Sequence, residues 1–422
     1  MSQEQSKNKK TQDTAFDLSS LFLRKNRRRV LISSVILVLV IAFIVGIIVI
    51  VQPGKLLFGS TYRTIETSGD LSEKLTVEPV ITDLEVPWSI SFIDNDSFFF
   101  TERPGRLRLY RNGELLLEPV LVVETLANGE AGLLGMTLHP DFPSSRFLYL
   151  AYTYRHNGSI AVKIERYSVT EDLALTSPRT LIDQIPAGAF HAGCKLAFGP
   201  DKKLYITTGD AGDRHSAQSL ASLAGKTLRI NDDGSIPDDN PFVNTPGAQK
   251  EIWSYGHRNA QALDWDSHGI MYLAEHGPSG FDGGFGNDEI NIITKGGNYG
   301  WPVQIGNEKG QWANNVEIMM PVKVYPEAIA PGGLTIPKNS IIPELKDKVL
   351  VSGLRGTTIL ALRIEKGIVL SQELVIDNSF GRIRELVTSP EGYVYFSTSN
   401  RDGRGNPKSS DDAIYRIILK EE

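Results

Sequence analysis

Six copies of one short pattern constrain this chain more than anything else in it. Each copy is an apolar strand, a turn built from Pro, Asp, Asn or Gly, and a second strand of β-branched and aromatic residues. Pro87-Trp88 leads SISFIDNDSFFFTERPGRLRLYRNG, Gly132 leads LLGMTLHPDFPSSRFLYLAYTY, and His191 leads AGCKLAFGPDKKLYITTGDAG. Arg258 leads NAQALDWDSHGIMYLAEHGP, Pro331 leads GGLTIPKNSIIPELKDKVLVSGLRG, and Arg382 leads IRELVTSPEGYVYFSTSNRDG. The leads fall 45, 59, 67, 73 and 51 residues apart. Strands and turns recurring at such periods mark a radial repeat.

Six units over residues 76–422 predict an all-β, six-bladed β-propeller with four-stranded blades. One blade alone leaves an apolar face uncovered, so the ring has to close. The extended apolar segment Leu75–Glu85 precedes the first lead and is expected to supply a strand to the last blade, Arg382–Leu419. A pair of stacked β-sandwiches is the other all-β arrangement of this size; the likeness of the six copies argues against it.

The N-terminus is built differently. Val30 to Val51 is an uncharged run of 22 residues. At ~1.5 Å rise per residue such a helix crosses a ~30 Å hydrocarbon layer. A core helix would show polar residues at helical spacing, and a cleaved signal peptide has an apolar core of only ~7–15 residues. Arg24, Lys25, Arg27, Arg28 and Arg29 lie just before the run and only Lys55 soon after it. Lys and Arg stay on the cytoplasmic side. The expected organisation is a cytoplasmic basic tail over 1–29, a single-pass signal-anchor helix over 30–51, and a linker over 52–75. The propeller over 76–422 then lies outside the cytoplasmic membrane.

Charge and cysteine content exclude other classes. Residues 1–29 carry +5 while the whole chain is −6, so residues 30–422 sum to −11. An acidic body speaks against nucleic-acid binding, which needs a basic face. The one cysteine, Cys194, allows no intrachain disulfide. Its place in a strand reads as packing rather than nucleophilic chemistry.

In a propeller, equivalent positions of different blades converge near the axis. The positions that converge here are Glu130, His191, Arg258, Asn259, Gln261, Arg382 and Arg384, with Arg355 on a turn of the fifth copy. Several arginines facing one funnel repel each other unless a ligand with several carboxylates or phosphates neutralises them. His191 in the same ring is a candidate general base. The Gly-rich loop from Gly277 and Pro278 to Glu289 combines carbonyls with three carboxylates, a ligand set suited to Ca²⁺. Asp210 and Asp213 have both a turn-forming and a ligand-binding reading. Trp253, Trp265 and Trp301 read as packing between blades.

Several stretches, in order and spacing, resemble the pyrroloquinoline quinone (PQQ)-dependent soluble aldose sugar dehydrogenases of the glucose/sorbosone type. They are LEVPWSISF…TERPGRLRLY, GEAGLLGMTLHPDF, HAGCKLAFGPDKKLYITTGDAGD, GKTLRINDDGSIPDDNPF, EIWSYGHRNAQAL, EHGPSG…DEINII, GGNYGWP, IAPGG and GRIRELVTSPEG. The resemblance spans residues 84–416 and implies a six-bladed propeller, in agreement with the repeat count.

Carried over by position, the resemblance implies that His191 is the catalytic base for a sugar's anomeric hydroxyl. It implies that Glu130, Arg258, Asn259, Gln261, Arg355, Arg382 and Arg384 surround PQQ, and that Gly277 and Pro278 give carbonyls to a Ca²⁺. An aldose sugar and an external electron acceptor, a quinone or a redox protein, are the implied partners. Two departures stand out. The run His191-Ala192-Gly193-Cys194-Lys195 replaces a family Gly and Arg by Cys and Lys, and Arg355 replaces a Lys. Two other functions fit a propeller: a non-catalytic cell-surface module binding a glycan or protein, and a Ca²⁺-dependent lactonase. The first has no need of His191 beside all those arginines. The second needs several channel carboxylates, and only Glu130 is well placed.

Overall fold

In a computed structural model, residues 67–282, 284–309 and 317–421 are described. The basic tail, the apolar run over 30–51 and most of the linker lie outside them. Among the described residues no helix is long and apolar enough to cross a membrane.

The fold is an all-β six-bladed propeller. From axis to rim, blade one runs Pro87–Phe92, Ser97–Glu102 and Arg106–Arg111, with Glu114–Leu115 and Leu121–Val122 on its rim. Blade two is Leu133–Leu138, Phe147–His156, Ser159–Val169 and Leu175–Ala187. Blade three is Leu196–Phe198, Leu204–Thr207, Lys226–Ile230 and Ile252–Tyr255. Blade four is Ala260–Trp265, Met271–Glu275, Asp288–Ile293 and Lys323–Tyr325. Blade five is Pro331–Thr335, Val349–Gly353, Ile359–Glu365 and Ile368–Ile376. Blade six is Ile383–Thr388, Val394–Thr398 and Ile414–Leu419, closed by Leu75–Ile81.

That closing strand is the one expected from the sequence: it pairs antiparallel with Ile414–Leu419, from Leu75↔Leu419 to Ile81↔Ile414. The N-terminal segment therefore staples the ring shut. Part of the expected linker is structured too. Gly69–Asp70 adds to blade five as a fifth, parallel strand against Glu373 and Leu374. Blades one and five thus carry five strands rather than four.

Apolar side chains alternate in and out along the strands. They form cores between neighbouring blades, such as Phe99, Leu107, Leu133, Met136, Leu148 and Leu150 between blades one and two. Cys194 lies in one such core, 2 % exposed, and burial pushes its thiol up to about 12, so it is inert packing.

A recurrent hydroxyl ties blade to blade. Thr101, Thr207, Ser352 and Ser397 occupy one register position in the second strand of their blades. Each accepts an N–H from the inner-strand segment: Ser89 at 3.1 Å, Lys195 at 2.9 Å, Gly333 at 2.8 Å and Glu385 at 3.3 Å. Each also donates into the next blade, to the carbonyls of Leu134, Ala260, Arg384 and Pro87 at 2.8–3.0 Å. In blades one, five and six the inner pair is bulged at this level, so the ladder leaves an N–H to satisfy. One small side chain meets that need and carries the ring's hydrogen bonding to the next blade.

Candidate active site

The leads do meet at one mouth of the channel. His191 takes a left-handed backbone conformation, φ 56°. A residue other than glycine needs surrounding contacts to hold it there. Its N–H donates to Glu130 Oε2 at 2.9 Å, and its ring is held at 2.7 Å from Asp210 Oδ1. Gly209 makes this possible: a Cβ there would lie 1.9 Å from the His191 carbonyl oxygen.

Asp210 is 1 % exposed. Burial alone would raise its carboxyl. The bonds from His191, Gly212 N–H and Trp301 outweigh this and hold it below the ordinary range. An ionised Asp210 only accepts, so His191 Nδ1 carries the proton. In the neutral ring Nε2 then keeps its lone pair. That is the state a general base needs.

Glu130 is the hub beside it. One oxygen accepts from His191 N–H and, at 3.4 Å, from the Asn259 amide; the other accepts from Arg404 at 2.9 Å. Gln261 donates to Asn259 Oδ1 at 2.9 Å, so the four predicted residues Glu130, His191, Asn259 and Gln261 form one connected set. Burial would raise Glu130. The Arg404 guanidinium, with His276 and His191, overcomes this and holds it down to about 2.

Arg382 and Arg384 project from the start of blade six. Both reach Asp402 Oδ2, with Nη2 atoms at 2.8 and 3.6 Å. Arg384 is stacked on Trp88, its guanidinium carbon 3.7 Å from the ring centroid. Burial lowers Arg384 to about 10, still charged at neutral pH. Arg103 lies within electrostatic reach of Asp402, Arg404 and Glu130, and its buried Nε has no partner among the described residues. Four guanidinium groups, Arg103, Arg382, Arg384 and Arg404, thus face two carboxylates, Glu130 and Asp402.

One expectation changes. The arginines are not left wholly to a ligand: Asp402 takes Arg382, and Asp282 takes Arg258, through Nε at 2.9 Å and Nη2 at 2.5 Å. Arg258 therefore holds the Gly-rich loop. Arg355 is exposed on its turn, while the neighbouring Leu354 carbonyl accepts from Arg382 at 3.0 Å.

The three carboxylates of the Gly-rich loop also disperse. Asp282 serves Arg258. Asp288 accepts from Gly277 N–H at 2.8 Å and Ala330 N–H at 2.7 Å, and Glu289 accepts from Asn291 and Gly306. No group of three His, Cys, Asp or Glu side chains suited to a metal occurs among the described residues. The Gly277 and Pro278 carbonyls accept no hydrogen bond among the described residues. They border a small open cleft with Arg258, His276 and Trp301.

Asp402, Arg404, Arg103 and Trp88 were not singled out from the sequence. The first two lie in the loop after the second strand of copy six, which keeps no fixed length or sequence from copy to copy. Trp88 sits in a lead, and that position was the available signal.

A surplus of guanidinium groups at one mouth of the propeller, beside a histidine whose Nδ1 is held by a buried carboxylate, defines a site for an anionic ligand next to a group able to take a proton. The chain belongs to the glucose/sorbosone dehydrogenase family, whose model matches residues 84–416. It is 33 % identical to the aldose sugar dehydrogenase YliI of Escherichia coli, over 79 % of this chain and 94 % of that one. The apo structure of the soluble aldose sugar dehydrogenase from Escherichia coli covers 82 % of this chain and 100 % of its own, at 30 % identity and TM-score 0.74. The PQQ-bound aldose sugar dehydrogenase of Streptomyces coelicolor covers 82 % of this chain and 98 % of its own, at 30 % identity and TM-score 0.70. The chain is thus an oxidoreductase of the PQQ-dependent aldose sugar dehydrogenase family.

Proposed function

We propose that this chain oxidises the C1 hydroxyl of an aldose to the lactone, using PQQ and Ca²⁺, and passes electrons to an external quinone or redox protein. The observation that carries this reading is the His191–Asp210 pair beside Glu130, facing Arg382 and Arg384.

The residues fit such a cofactor. Arg103, Arg382, Arg384 and Arg404 exceed Glu130 and Asp402 in charge, and Arg103 Nε lacks a partner among the described residues. PQQ carries carboxylates that match this excess. When bound, PQQ supplies the two-electron acceptor for the C1 hydrogen, and Ca²⁺ on the Gly277 and Pro278 carbonyls supplies a Lewis acid.

The protein does the rest. His191 Nε2 receives the proton of the C1 hydroxyl, and Asp210 stabilises the resulting imidazolium through Nδ1–H. Glu130, which also accepts from the Asn259 amide, holds the His191 main chain where the ring meets the substrate. Arg382 and Arg384 hold the anionic cofactor and favour negative charge developing on it.

His191→Ala should abolish dye-linked aldose oxidation while retaining PQQ uptake and the fold. Undiminished turnover would sink the assigned base. Removal of Ca²⁺ by a chelator should stop turnover until it is restored. We also propose that residues 30–51 anchor the body outside the cytoplasmic membrane. The +5 tail supports this, and protease added to intact cells should then remove residues beyond about 60. Full protection of the body would overturn the topology.

A further inference from the structure

Trp301 enters the base's hydrogen-bond chain from blade four. It sits between the strands Asp288–Ile293 and Lys323–Tyr325, 5 % exposed. Its indole Nε1 donates to Asp210 Oδ2 at 2.8 Å. The other oxygen, Oδ1, takes His191 Nδ1 at 2.7 Å and Gly212 N–H at 2.8 Å. One carboxylate is thus shared between an imidazole and an indole from different blades.

The indole is itself fixed. Gln218 Nε2 donates to the Trp301 carbonyl at 2.7 Å, and Trp301 N–H donates to Gly256 O at 2.9 Å. Gln218 and Asn298 exchange amide bonds at 2.9 Å each, which clips the loop carrying Asp210 to the loop carrying Trp301. The guanidinium carbons of Arg258 and Arg214 lie 5.5 and 5.6 Å from the ring centroid. Packing alone would be met by any aromatic ring here. The buried N–H aimed at the base's own carboxylate is what a phenyl ring lacks.

We propose that Trp301 is a positioning residue for the reaction: through Asp210 it sets the orientation and proton affinity of the His191 imidazole. A carboxylate that accepts from indole N–H has part of its charge engaged there. It therefore stabilises imidazolium less than a carboxylate left to histidine alone. The other groups around His191 are Glu130, at its main-chain N–H, and Arg404 and His276, which act electrostatically with Glu130. None of them touches Asp210, so the effect of the indole is separable from theirs.

The inference rests on His191 being the base, and its first readout does not require that. The full-length protein without cofactor is labelled at histidine ring carbons, and the His191 signal is assigned by its absence in His191→Gln. In Trp301→Phe the His191 midpoint should rise by roughly 0.5–1 pH unit, with the other histidine signals unmoved. An unchanged midpoint in a folded protein overturns the proposal. Trp301→His, with a ring N–H available to Asp210, should restore much of the original midpoint. Should the phenylalanine variant fail to fold, benzothienylalanine at position 301 keeps the indole's shape without its N–H, and the same shift is expected.

In the PQQ-loaded enzyme the acid limb of the rate profile should move the same way, with kcat reduced roughly tenfold and KM held. A kcat loss without any midpoint shift overturns the positioning role. A midpoint shift with an unmoved rate profile upholds the coupling and sinks His191 as the base.

Discussion

Lys195 and Glu385 meet across the central channel, the ammonium 2.6 and 2.8 Å from the two carboxylate oxygens. Lys195 immediately precedes the inner strand of blade three and Glu385 lies on that of blade six, so the pair joins opposite sides of a six-membered ring. It also ties the segment carrying His191 to the strand carrying Arg384. The side chains are 14 % and 3 % exposed. Removing one partner strands the other charge in the channel, at a cost of about 3–5 kcal/mol. Lys195→Met should lose stability of that order in urea unfolding. The double variant Lys195→Met/Glu385→Leu should recover most of it, because neither charge is then left alone. Equal losses in single and double variants would mean that packing, not charge, holds the segment.

The bridge between Glu130 and Arg404 predicts an acid dependence. The folded carboxyl titrates near 2 and the ordinary value is 4.5. A lowered carboxyl stabilises the fold fully above its unfolded value and loses that contribution as pH falls through 4.5 toward 2. Arg404 is 46 % exposed, so its share is discounted for solvent to about 1 kcal/mol. Arg404→Gln should therefore be less stable than the parent at pH 7 by about that amount, with the gap closing toward pH 2. A gap that stays constant with pH would show that Arg404 acts through its packing over Phe190 instead.

Most of the ring was legible from the sequence because a propeller repeats its requirements. Each blade needs an apolar inner strand and a tight turn, so the six leads stand out and the residues on them land on the axis. His191, Glu130, Asn259, Gln261, Arg382 and Arg384 were found that way. Residues in the loops after the second strands were not, because those loops differ from copy to copy in length and sequence. Arg404 and Asp402 lie in such a loop and reach the mouth only through the fold. Asp210 fits a turn as well as a site, and only the indole and imidazole on its two oxygens decide between them. Gly69–Asp70 is too short and polar to announce a strand; the open edge of blade five supplies its pairing. Arg355 reached the list through its turn and through the resemblance, and it is exposed on that turn.

The recurrent hydroxyls should be costly to remove out of proportion to their size. Thr207 Oγ1 accepts from Lys195 N–H and donates to Ala260 O, so Thr207→Val leaves two buried main-chain groups unsatisfied at nearly constant volume. An unsatisfied buried group costs ~1–3 kcal/mol. Thr207→Val should thus lose a few kcal/mol in urea unfolding, and Thr207→Ser, which keeps the oxygen, much less. A serine variant as unstable as the valine would place the loss in the missing methyl.

The Arg384 guanidinium is held by an aromatic ring as well as by polar partners. Its guanidinium carbon lies over Trp88, 3.7 Å from the ring centroid, Nε reaches Ser399 at 3.2 Å, and Nη2 lies 3.6 Å from Asp402. Lysine keeps the charge but has no plane to stack and no fork to reach two partners. If Arg384 holds a carboxylate-bearing cofactor by shape as well as charge, Arg384→Lys should weaken PQQ binding by roughly tenfold or more, with little change in unfolding. Charge alone predicts a different result: near-native affinity in the lysine variant, with both proteins losing affinity in parallel as salt is raised. Quenching of tryptophan emission by added PQQ, followed at low and high salt in both proteins, separates the two. A lysine variant that matches the parent at every salt concentration would reduce the stack on Trp88 to packing.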